Sequence, residues 1–88
     1  HLYRLAIVQT KIEKFSEAYK SLKSIPIEEF SNKINLLLNL IDLSVKLNKF
    51  DESDFYYDLL KKSNSDKVNL TNLKKTIEYN KYIYLANQ

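Results

Sequence analysis

One internal echo constrains this chain more than any other feature. KIEKFSEAYKSLKSI, residues 11–25, is answered by KLNKFDESDFYYDLLKK, residues 46–62, with Phe15 under Phe50 and Ala18 under Ser53. Extended backward at the same spacing, Leu2, Leu5, Ala6, Gln9, Ile12, Phe15, Ala18, Leu22 and Ile25 fall on Leu37, Leu40, Ile41, Ser44, Leu47, Phe50, Ser53, Tyr57 and Leu60. A shorter third copy follows in Leu70, Leu73, Lys74, Ile77, Asn80, Ile83 and Ala86. Small residues recur at Ala18, Ser53 and Ala86, where two helices would approach closely. A period in the thirties with two helices per unit predicts stacked helical hairpins. Amphipathic helices of similar length match at several positions by chance. Matches running across two helices and their turn favour a repeat.

Composition agrees with helices. Among 88 residues there is no glycine and one proline, Pro26, so the turns that strand-rich designs need are scarce. The chain is 44% hydrophobic, suited to one folded domain with a modest core. Without cysteine there is no disulfide, thiolate ligand or cysteine nucleophile. The longest apolar run, Leu36–Leu38, is far too short to cross a bilayer. Because the chain starts at His1 rather than methionine, it is expected to be a fragment or processed piece, and a targeting segment could lie outside it. A net charge of +3 with acids and bases interspersed gives no indication of nucleic acid.

Apolar spacing places five helices. The first runs over about 2–12. A second, capped by Ser16, carries Ala18, Tyr19, Leu22 and Ile25 on one face and ends at Pro26. The third begins near Ile27–Glu28 or at Ser31 and reaches about Leu47. Being apolar over much of its circumference, it is the central element. Asp51 and Asp54 resemble a capping pair for a fourth helix, which ends near Lys62. Ser63–Asp66 is a loop with Ser65 or Asp66 as the next cap. The last helix either breaks at Asn80-Lys81 or runs on through YIYLA.

With these positions in place, the chain resembles the tetratricopeptide repeat family. Leu37, Leu40, Phe50, Ser53 and Tyr57 match its pattern in the best copy, and Leu5, Ala6, Phe15 and Ala18 in the first. The family's turn glycine is replaced by Glu13 and Asn48, its small first-helix residue by Ile41 and Lys74, and its closing proline is displaced to Pro26. The resemblance implies an all-α, antiparallel helix-hairpin solenoid: repeat 1 over about 1–26, repeat 2 over about 27–64, and a partial repeat or capping helix over about 65–88. It also implies a groove, lined by successive first helices, that binds extended or helical peptides. The groove-facing places are Tyr3, Arg4, Ile7 and Lys11, then Asn35, Leu38, Asn39, Asp42 and Lys46, then Thr71, Asn72, Lys75 and Glu78. Members that clamp the C-terminal carboxylate of heat-shock chaperones carry a Lys and an Asn where this chain has Tyr3 and Ile7. Asn39 alone matches the clamp, so that ligand is not expected.

Side-chain chemistry gives little to an enzyme. His1 is the only histidine, so a His-based dyad or triad is unavailable, and zinc lacks partners. Asp51, Glu52, Asp54 and Asp58 lack the glycine and spacing of a calcium loop; acids in a first helical turn complement its dipole. No cofactor or metal is expected. The pairs Lys61-Lys62 and Lys74-Lys75 suit a helix C-terminus and a solvated face, and nucleic-acid binding through them is the weaker reading. Tyr19 and Tyr57 sit at core positions. Tyr79, Tyr82 and Tyr84 are placed where a next repeat or partner could pack, an assembly surface that tyrosine suits. The expectation is a non-enzymatic protein- or peptide-binding module, a cytoplasmic scaffold or the ligand-sensing region of a larger protein. The alternative is a helical bundle that mediates oligomerisation.

Overall fold

The structure is a computed structural model that describes residues 1–63 and 68–88. Among these residues all regular structure is helical: α1 (Leu2–Lys11), α2 (Phe15–Lys23), a 3₁₀ turn (Ile27–Glu29), α3 (Lys33–Lys46), α4 (Phe50–Lys62) and α5 (Leu70–Ala86). They form a flattened body of 38 × 30 × 18 Å. None of the described helices is long and apolar enough to cross a membrane.

Two hairpins, α1–α2 and α3–α4, share one turn. Glu13 (φ 63°) and Asn48 (φ 61°) both take the left-handed conformation, the only non-glycine residues described that do so. Around them the hydrogen bonds repeat. Lys14 N–H donates to the Gln9 carbonyl and Lys49 N–H to the Ser44 carbonyl, each at 2.8 Å. Glu13 N–H reaches Thr10 and Asn48 N–H reaches Val45, each at 3.0 Å. A residue in this conformation closes the carbonyls at the end of one helix while reversing the chain into the next.

The helix starts differ from the sequence expectation in instructive ways. Ser16 does not cap α2, nor do Asp51 and Asp54 cap α4; Lys14 and Lys49 stand at those N-caps and accept nothing through their side chains. The left-handed turn delivers the chain into each second helix two residues early, so Ser16 and Asp51 fall inside. α3 starts neither at Ile27–Glu28, which form the separate 3₁₀ turn, nor at Ser31. Asn32 caps it, as Asn69 caps α5, each accepting from the N–H of an Asn three residues on, Asn35 and Asn72. Ser65 and Asp66 lie outside the described residues. α5 is one continuous helix through Asn80 and Lys81.

α3 supplies the largest share of the core: Leu36, Leu37, Leu40, Ile41, Leu43 and Ser44 are all buried. Against it pack Ala18, Tyr19 and Leu22 of α2 and Phe50, Tyr57 and Leu60 of α4. Ala18 and Ser53 are wholly buried, where only small side chains let backbones approach. Gln9 and Ser21, joined by a 2.9 Å hydrogen bond, correspond by the repeat to Ser44 and Tyr56. Both latter residues are buried, so the large side chain has moved from the first helix of the hairpin to the second. Volume is kept while the partners exchange size, as close packing requires.

Candidate functional site

α5 buries only Ile77 fully, and clefts open on both of its flanks. One lies between α3 and α5, with a volume near 180 Å³. Its floor is apolar, formed by Leu38, Ile41, Val45 and Leu73, and Asp42, Lys46, Thr76 and Asn80 line its polar edges. Helical spacing explains the arrangement. Leu38, Ile41, Val45 and Asp42 recur every three or four residues on α3, so one stripe borders the core while its margin meets solvent. On the rim, Lys46 Nζ lies 3.0 Å from the Asp42 carboxylate one turn back and 5.7 Å from the centre of the Phe15 ring. At this volume the cleft is too small for a drug-sized molecule, whose pockets run about 300–1,000 Å³, and suits an apolar side chain of a longer ligand.

The other flank, between α4 and α5, opens to about 560 Å³. Although larger, its walls mix charge with apolar and aromatic side chains, Asp54, Asp58, Glu78, Lys74 and Lys81 standing beside Ile77, Tyr82 and Leu85. Lys74 is 3.9 Å from Glu78 and sits over the Tyr57 ring at 5.3 Å. Among the described residues only Lys74 and Glu78 of these charged groups form an ion pair, and the flank is more open to solvent than the α3–α5 cleft, so size alone does not make it the better site.

Of the residues expected to line a groove, the structure brings Asp42 and Lys46 to the α3–α5 cleft, joined there by Leu38. Arg4 and Lys11 are exposed and Ile7 half-buried on α1; Asn35, Asn72 and Lys75 are exposed and line no part of this cleft. Asn39 has a structural task. Its amide donates to the Tyr3 hydroxyl at 2.9 Å and to the Asn35 carbonyl at 3.0 Å, tying α1 to α3. Tyr3 in turn stacks on Phe30, ring centres 5.0 Å apart. Val45, Leu73, Thr76 and Asn80 line the cleft without having been singled out. The apolar period of α3 and α5 was the available signal for Val45 and Leu73, but it cannot separate a cleft wall from the core.

The tyrosine-rich end is divided. Tyr79 and Tyr82 are exposed, whereas Tyr84 turns inward onto Phe50 with ring centres 5.7 Å apart. Lys61 and Lys62 occupy the last turn of α4, where cations oppose the helix dipole.

One further polar contact ties the hairpins together. The Tyr19 hydroxyl on α2 donates to Glu52 Oε1 on α4, and Lys23 Nζ reaches the same oxygen at 3.3 Å. Tyr19 is pushed well above its ordinary pKa, first by burial and then by this hydrogen bond. Glu52 is held below the usual carboxylate range, chiefly by the Tyr19 hydroxyl, against a smaller opposing effect of burial, with Lys23 assisting. Among the described residues, no group of three or more His, Cys, Asp or Glu side chains is arranged to hold a metal ion.

Compared with known proteins, the chain matches no family model, no curated protein and no solved structure.

Proposed function

We propose that this chain is a tetratricopeptide-like segment that binds a protein or peptide through the cleft between α3 and α5, without catalysing a reaction. The carrying observation is the cleft itself: an apolar floor at Leu38, Val45 and Leu73, rimmed by the Asp42–Lys46 pair. Such a site seats one apolar side chain of an extended or helical ligand, while the rim charges and Asn80 meet its flanking polar groups. The matching turns at Glu13 and Asn48 support the repeat reading, with units over about 1–26 and 27–64 and α5 as an incomplete third unit or cap. In this reading the chain serves as a scaffold or as the ligand-sensing region of a larger cytoplasmic protein.

A peptide-display selection against the chain tests the proposal, run beside the charge-swapped variant Asp42→Lys with Lys46→Asp. An exposed pair of this kind contributes only about 0.3–0.5 kcal/mol, so the swap leaves the fold intact. Peptides enriched by the parent and lost or charge-inverted in the swap would support the cleft. Enrichment indifferent to the swap, or none, would move the reading to an assembly surface at Tyr79 and Tyr82.

A further inference from the structure

Four large apolar side chains on α1 face solvent. Leu2, Leu5, Val8 and Ile12 are between 43% and 58% exposed. They are not scattered. Stepping three or four residues at a time, they form one stripe along α1 continuing onto its C-cap residue Ile12. One unit later the same places hold Leu37, Leu40, Leu43 and Leu47. There, Leu37, Leu40 and Leu43 are no more than 2% exposed, and Leu47 is packed against the core. The residue types agree; only the covering differs.

What covers the second stripe is visible. α2 packs on α3, and its Ala18, Tyr19 and Leu22 lie in the same buried core as those leucines. α4 meets α5 in the same order, Tyr57 donating to the Leu70 carbonyl at 3.3 Å and Phe50 stacking on Tyr84. Each hairpin's second helix therefore covers the first helix of the next. Among the described residues no helix covers the α1 stripe in this way.

A second position gives the same answer independently. Glu52 receives the Tyr19 hydroxyl and Lys23 from the preceding hairpin. Its counterpart one unit earlier is Glu17, an exposed carboxylate in the first turn of α2. A hairpin stacked ahead of α1 in the way that α1–α2 is stacked ahead of α3–α4 would bring a Tyr and a Lys to Glu17 just as it covers the leucines.

Charge argues against α1 pairing with α1 of a second copy. The helix carries Arg4 and Lys11 and no acid. An isologous pair through this stripe would bring like charges together with nothing to offset them.

We infer that the Leu2–Leu5–Val8–Ile12 face of α1 is a docking surface for a helical hairpin of this chain's own type, one whose second helix presents a small residue, a Tyr and a Leu as Ala18, Tyr19 and Leu22 do. This surface lies apart from the α3–α5 cleft and does not depend on what that cleft binds.

The test builds the partner from the chain itself. Residues 1–35 are placed directly ahead of the full chain, so that the added copy stands to α1 as the first hairpin stands to α3. In a stacked array the added interface is a nearest-neighbour gain. The tandem chain should unfold in a single transition, its midpoint above that of the parent by about 4–8 °C or more. Leu5→Glu with Val8→Glu, made in the original α1, should shift the parent little and abolish the rise in the tandem. Glu17→Gln, made in the original α2, removes a first-turn acid from both chains and should lower the tandem by more than it lowers the parent, which provides a readout free of any core disturbance. A tandem that melts at the parent's midpoint, melts in two steps, or keeps its rise in both variants overturns the inference. Sedimentation of the parent supplies the competing outcome: a dimer dissolved by the Leu5→Glu, Val8→Glu pair would make a second copy the occupant and overturn it equally.

Discussion

Glu13 and Asn48 reverse the chain with the same left-handed backbone, the same 2.8 Å hydrogen bond from the following lysine, and helices of the same order on either side. Neither is glycine, the residue that adopts this conformation without cost. A side chain there costs roughly 1–2 kcal/mol, less for Asn, whose short polar group tolerates it. Glu13→Gly should therefore stabilise the protein by about 0.5–1 kcal/mol and Asn48→Gly by less, because glycine also gains freedom in the unfolded chain. Asn48→Ala should destabilise by about 1 kcal/mol. Denaturant titrations at constant slope check all three; a loss on Glu13→Gly would contradict the shared turn.

Position by position, the repeat predicts unequal responses to the same substitution. Leu40 is wholly buried, and Leu40→Ala should cost about 2–5 kcal/mol through lost transfer energy and a cavity. Leu5 is its counterpart on α1, but half of its surface is already in water. Leu5→Ala should cost under about 1 kcal/mol. Thermal melts of the two variants make the comparison, and equal losses would mean that α1 is covered in solution.

Tyr19→Phe should destabilise by about 1 kcal/mol near neutral pH, since the Glu52 carboxylate it leaves is partly exposed and water can replace the hydroxyl. The pH dependence follows from the two shifts. Glu52 is depressed in the folded state, so its contribution is full above the ordinary glutamate value of about 4.3 and is lost as the pH falls below it. Tyr19 is raised, so its contribution is full below about 10 and erodes as the pH climbs above that. The stability gap between parent and Tyr19→Phe should be widest between those limits and narrow on acidification. A gap constant from pH 3 to pH 7 would contradict the pairing.

Asn39→Ala removes the bond to Tyr3 that ties α1 to α3, and so does Tyr3→Phe. Each should cost about 1 kcal/mol, and the double variant clearly less than the sum, because both delete one interaction. Strict additivity in that cycle would show that the two side chains act separately.

How much of this could be read beforehand divides along physical lines. The helices, their order and the central place of α3 follow from apolar periodicity, because burial acts on whole faces and leaves its period in the sequence. The starts of α2 and α4 did not follow. Ser16 and Asp51 have the chemistry of caps, yet the left-handed turn at Glu13 and Asn48 fixes the register instead, and no glycine marks it. Asn32 and Asn69 were legible in principle, each an Asn opening an apolar run. The continuity of α5 through Asn80 was open because polar residues in mid-helix are silent when that face is solvated. For the site, Asp42 and Lys46 were within reach of a position-by-position argument. Asn39 was not: its partner Tyr3 is remote in sequence, and an Asn bound internally looks the same as one turned toward a ligand.

The most direct test of the account is to titrate a peptide selected on this chain into isotope-labelled protein and follow the backbone amides by NMR. Binding in the proposed cleft predicts shifts concentrated at Leu38, Asp42, Val45, Leu73 and Asn80, with Tyr79 and Tyr82 unmoved. Shifts centred on Tyr79 and Tyr82, or spread along α1 with the cleft silent, would contradict it.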